Sequence, residues 1–166
     1  MLRNEGWTAS LPNKSAYVKE ITLKDVRDLI ESLAAVEKVT ASLAAQRVTE
    51  KALNEIRKAE EETAMAVDKR DFGEVEVQNK RFHSLIAKAS NNQCLASIHD
   101  DLRNKVQRLS YMSISKGDKH LISIKKEHHE IVKCLETRNY RKIEKLSAEH
   151  IRLFQNSINT FLQGGQ

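Results

Sequence analysis

LISIKKEHHEIVKCLETRNYRKIEKLSAEHIRL, residues 121–153, decides the fold. Apolar side chains recur at Leu121, Ile124, Ile131 and Leu135, and again at Ile143, Leu146 and Leu153. Steps of three and four are the period of an amphipathic α-helix, and Asn139 between the runs is a helix N-cap residue. The stretch therefore predicts two helices joined by a tight turn. Each run has one polar member in register. The pattern 121, 124, 128, 131, 135 passes through His128, and the pattern 143, 146, 150, 153 passes through His150. Both helices place an imidazole on the seam that faces the core.

The same period extends upstream. Thr22 caps a first helix with Asp25 at its third position, a variant of the capping box, followed by Val26, Leu29, Leu33, Val36 and Leu43. Thr49 caps a second, with Leu53, Ile56 and Val67 on its stripe. Asp71 opens a third carrying Val75, Phe82, Ile86 and Ala89. After SNN (90–92), Asn92 caps a fourth with Leu95, Ile98, Leu102, Val106 and Leu109, which SKGDK (115–119) ends. The tail QGGQ reads as frayed. Only 1 Pro and 5 Gly in 166 residues leave too few turn formers for a β-rich fold. The fold class is all-α: an antiparallel six-helix bundle over residues 21–166.

Residues 1–20 differ. WTASL and AYVKEI are extended-looking stretches joined by PNKS, which predicts a short hairpin or extended segment. The net charge is +5, but both signs are interspersed, the pattern of solvated helix faces rather than of a nucleic-acid stripe. Cys94 and Cys134 lie beside apolar stripes and read as free, buried or half-buried thiols of a reducing compartment. No apolar run reaches membrane-spanning length and no signal-peptide pattern appears, so the expected location is the cytoplasm, away from membranes.

A third seam completes the set. On the third helix the pattern 75, 79, 82, 86 passes through Asn79, and His83 lies one turn further along at the edge of that face. Three helices thus bring an imidazole to the core. Each buried imidazole needs partners for both nitrogens, and leaving them unmade costs roughly 1–3 kcal/mol per group. A divalent metal (Zn, Ni, Mn or Fe) would satisfy one nitrogen of each, with Asn79 as an oxygen donor. His99, His120 and His129 fall off the seams and are expected at surface or cap positions. No HExxH, Glu-x-x-His, phosphate loop or nucleophile elbow is present, and no seam carboxylate is available as a base. Glu127 and Glu149 each precede a seam histidine but point about 100° away from it, toward water or outer partners of the site. The rival readings are a small metal-dependent enzyme using the three histidines and a metal-free helical binding module.

DVRDLIESLAAVEKVTASLAAQRVTEKAL (25–53), NKRFHSLIAKASNNQCL (79–95) and KEHHEIVKCLETRNYRKIEKLSAEHI (126–151), in that order, resemble the FCD domain of GntR-type transcription regulators of the FadR subgroup. The resemblance covers residues 21 to about 160. It implies an effector-binding and dimerisation domain, not an enzyme: a homodimer that holds a divalent metal through Asn79, His83, His128 and His150 and takes a small organic acid as effector. Two departures stand out. Asn79 occupies the family's usual Asp position, which implies weaker metal binding. Leu33 occupies the place of a frequent Arg, which removes one of the groups the family uses around a carboxylate. EGWTASLPNKSAYVKEI (5–21) resembles the wing of a winged helix-turn-helix, so DNA would be reached only through a winged-helix domain whose reading helices are absent from this chain.

Overall fold

The computed structural model describes residues 8–9, 17–18, 22–114 and 118–163. Two strands, β1 (Thr8–Ala9) and β2 (Tyr17–Val18), pair antiparallel with Thr8 opposite Val18. Six helices follow: α1 (Leu23–Arg47), α2 (Glu50–Asp68), α3 (Phe72–Ala89), α4 (Gln93–Ile114), α5 (Asp118–Glu136) and α6 (Tyr140–Gln163). The PNKS turn, the first three residues of SKGDK, the GGQ of the tail and the surroundings of the His120 side chain lie outside the described residues.

Every cap read from the sequence forms. Thr22 Oγ1 accepts from Asp25 N at 3.1 Å, and Asp25 Oδ2 accepts from Thr22 N at 3.0 Å, closing the reciprocal box. Side-chain oxygens of Thr49, Asp71, Asn92 and Asn139 accept from backbone N–H groups three residues on, satisfying donors a helix start leaves open. The connections are as short as the periodicity requires. Arg70, Asn91 and Arg138 turn the chain between helices with positive φ of 54°, 51° and 52°. At Arg70 and Arg138 the flanking bonds, such as Asp71 N to Ala66 O at 3.0 Å and Asn139 N to Cys134 O at 2.8 Å, make Schellman C-caps.

The helices pack so that α1 lies against α6, α4 and α3 rather than alongside α2, while α2 sits between α3 and α5. Among the described residues, the buried apolar side chains group into three clusters. One cluster joins α1, α2, α3, α5 and α6 around Ala44, Ile56, Phe82, Ile131, Leu135 and Ile143. A second joins α1, α4 and α6 around Ile30, Leu33, Val106 and Phe154. A third joins α2, α3 and α5 around Val67, Val75, Leu121 and Ile124. Along the chain the junctions are polar. Glu37 lies between Leu33 and Ala41, His128 between Ile124 and Ile131, and His150 between Ile143 and Ile151.

Two registers differ from the sequence reading. On α4 the predicted stripe runs through Ile98, yet Ile98 is 42% exposed and His99 is 1% exposed. The inward line is Ala96, His99, Arg103, Val106 and Ser110, because this face buries its polar groups against carboxylates of α1 and α3. His99 is therefore no surface residue. On α1, Val36 and Leu43 are half-buried while Glu37 is buried, for the same reason. Cys134 is buried as expected, whereas Cys94 is exposed; both are free thiols. His129 lies at the surface beside Glu60, as the sequence predicts.

Candidate metal and effector site

The three seam histidines converge. His83 comes from α3, His128 from α5 and His150 from α6, all buried, and one ring nitrogen from each lies within 4.8 Å of the others. His83 Nε2 and His150 Nε2 face each other at 3.1 Å. Phe82, next to His83 in the chain, stacks on the His128 ring at a centroid distance of 4.0 Å and fixes its plane. Neither nitrogen of His128 has a hydrogen-bond partner, nor has Asn79 Oδ1, which lies one turn before His83 on the same buried face. Among described residues, such buried orphan atoms are expected to be few.

The outer nitrogens of two rings meet carboxylates. Glu127 Oε2 lies 2.5 Å from His150 Nδ1. Glu127 thus serves the histidine of the next helix, not its own sequence neighbour His128. Its other oxygen accepts from the Ser123 hydroxyl one turn earlier on α5. Glu149, by contrast, pairs with Arg152 at the surface. Glu37 Oε2 lies 3.6 Å from His83 Nδ1. A carboxylate accepts only, so Glu127 sets the His150 ring with its proton on Nδ1 and its Nε2 lone pair inward; the Glu37 approach to His83 is longer than a hydrogen bond.

Glu37 also anchors a second polar layer that the sequence reading missed. Its Oε1 pairs with the Arg103 guanidinium and lies 3.4 Å from His99 Nε2. His99 Nδ1 in turn meets Asp100 at 3.0 Å. Burial pushes the Glu37 carboxyl up, but the Arg103 charge and the His99 contact outweigh it and hold the group at about 2. Burial pushes His83 and His128 well below the usual histidine value, and Arg103 and His150 add to the effect on both. Glu76 on α3 is buried as well, accepts from Ser110 at 2.5 Å, and is raised by its burial. Positions 26, 30, 33, 37 and 41 form an unbroken helical line; following that line through its one charged member would have found Glu37.

Three converging imidazoles, with both His128 nitrogens unpartnered, fit a borderline divalent cation, and the unpartnered Asn79 oxygen lies one helical turn from His83. Asn79, His83, His128 and His150 would hold it, and the ion would supply Lewis acidity to an oxygen ligand at its open positions. Room for that ligand is small. The space beside the cluster, lined by Glu37, Thr40, His83, His99, Ile131 and Ser147, has a volume of about 10 Å³, the scale of one water molecule. A multi-carbon acid does not fit this space as it stands.

Comparison with known proteins gives the class of this helical bundle. The model of the FCD domain matches residues 28–153, and the chain belongs to this family, the effector-binding domain of GntR-type transcription regulators. It is 21% identical over 162 residues to the HTH-type transcriptional repressor RspR of Escherichia coli K12, covering 98% of this chain and 71% of that protein. An uncharacterized HTH-type regulator of Shigella flexneri, YdfH, matches to the same extent. The fold is shared with Escherichia coli McbR/YncC (TM-score 0.81, 16% identity, 96% of this chain and 80% of that one). It is also shared with a GntR protein of Streptococcus agalactiae (TM-score 0.71, 21% identity, 94% and 77%). RspR and YdfH are HTH-type transcriptional regulators, and the family is one of regulators rather than enzymes. Glu37 argues the same way: the sequence reading saw no seam carboxylate and here is one, but a carboxyl paired with Arg103 and held near 2 is a poor base. No described helix is long and apolar enough to cross a membrane.

Proposed function

We propose that residues 21–166 are the ligand-sensing and dimerisation domain of a cytoplasmic GntR-type regulator, in which Asn79, His83, His128 and His150 hold a divalent metal. The observation that supports this reading is the convergence of three buried imidazoles, one nitrogen of each within 4.8 Å of the others, while both His128 nitrogens and Asn79 Oδ1 lack a partner. The His150 Nε2 lone pair points inward, and a cation taken there would be shared with His83 Nε2, 3.1 Å away, and with His128. The metal-free alternative, in which the histidines only hydrogen-bond, is opposed by His128, whose nitrogens have no partner.

The effector is a small carboxylate-bearing molecule that would join the ion's open positions. The space beside His83 holds about one water, and on this reading entry of the effector there separates the helices that line it. That separation is the change transmitted across a homodimer to DNA-binding units. The β1–β2 hairpin within residues 1–20 is read as the wing of such a unit.

The test is elemental analysis of purified protein before and after incubation with Zn(II), Ni(II) or Mn(II) and gel filtration. One ion per chain, lost in His83→Ala and His150→Ala, is expected. A wild-type chain that retains none of these metals removes the metal reading.

A further inference from the structure

The donor set is electrically neutral: three imidazoles and one amide. A divalent ion buried among neutral donors alone would be costly, since an uncompensated charge in a dry interior loses its hydration with no return. Before a carboxylate effector binds, the compensation has to come from outside the protein's own ligands. Two carboxylates touch the outer nitrogens of the histidines, Glu127 at 2.5 Å from His150 Nδ1 and Glu37 at 3.6 Å from His83 Nδ1. They are not equivalent. Glu37 shares its charge with Arg103 and His99. Glu127 meets no cation in this way, and both its oxygens are engaged, one by Ser123 and one by His150.

We propose that Glu127, and secondarily Glu37, supply through the histidine rings the negative charge that the ligands themselves do not bring, and that Glu127 is the positioning residue on which the site's cation affinity depends. This rests on the metal reading above. The Ser123–Glu127–His150 chain sets the tautomer of His150, holds its ring and makes its Nε2 a stronger donor. It also links α5 to α6, so that loss of Glu127 frees the ring that faces His83.

The experiment is competition for Zn(II) against a chromophoric chelator, with the visible spectrum of the Co(II)-substituted protein as a second readout. Glu127→Gln keeps the shape and removes the charge. It is expected to weaken Zn(II) binding by about 10–100-fold and to alter the Co(II) bands. Glu149→Gln, on the surface pair with Arg152, is expected to change neither. Adding Asn79→Asp to Glu127→Gln restores a charge directly at the ligand set, and affinity is expected to recover. Ser123→Ala, which loosens the acid without removing it, gives a smaller loss in the same direction and carries the test should E127Q not fold. Wild-type affinity in both E127Q and S123A overturns the proposal and leaves the metal reading standing. A wild-type chain with no Zn(II) affinity overturns the metal reading and this proposal with it.

Discussion

Glu37 is buried between a guanidinium and two imidazoles, and such a group is sensitive to one-sided changes. Arg103→Met would leave the carboxylate buried without its main partner, at a cost of roughly 3–5 kcal/mol. The double variant Glu37→Gln/Arg103→Met should recover much of that loss, and urea unfolding of the three proteins measures it. Acid should act on the metal-free protein in a defined direction. His83 and His128 are held below 6.5 in the folded state, so between the two values the unfolded chain binds more protons. Their stabilisation is complete above the unfolded value and is lost as pH falls below it. Glu37, at about 2 folded against 4.5 unfolded, adds a further loss as pH falls below 4.5. The melting temperature of metal-free protein should therefore fall steadily from about pH 7.5 to about pH 4. A rise on acidification contradicts this account.

At the level of helices, the caps and stripes were legible because they are local. Asn139 precedes its helix by one residue, and the period through His128 and His150 is visible within each run. The α4 face was illegible for the opposite reason. Its inward members His99, Arg103 and Ser110 are polar, and the Glu37 and Glu76 that justify their burial lie far away in the chain. A reading by hydrophobicity therefore chose Ile98 and rotated the helix outward. Glu127 was half legible: its direction away from His128 was right, but not that α6 brings His150 to meet it. The turn after α5 shows a local conflict resolved by a distant contact. Arg138 adopts φ 52° and donates to the carbonyls of Gln46 and Val48, each at 3.1 Å, at the end of α1. Arg138→Ala loses these bonds and keeps the strained backbone, and should cost about 1–2 kcal/mol. Arg138→Gly relieves the strain and should lie about 1 kcal/mol above the alanine variant in the same denaturation series.

For the whole molecule, the proposed ligation would join α3, α5 and α6, with α1 and α4 attached through Glu37, Arg103 and His99. An ion at a concentration of 100 Kd should stabilise the fold by about 2.7 kcal/mol, a rise of roughly 5–10 °C in melting temperature that a chelator reverses. Light scattering should give twice the chain mass; a single-chain mass at micromolar concentration sinks the dimer. The division of the interior into three apolar clusters has its own consequence for cooperativity. Each cluster is small, and without an ion they are coupled chiefly through a junction of polar side chains. Hydrogen exchange of the metal-free protein should then resolve separate opening units, with amides around Leu121–Ile124 exchanging independently of those around Ile30 and Phe154. Filling the junction should fuse these units into one that opens only with global unfolding, so that the ion decides whether this chain behaves as one cooperative body or as three.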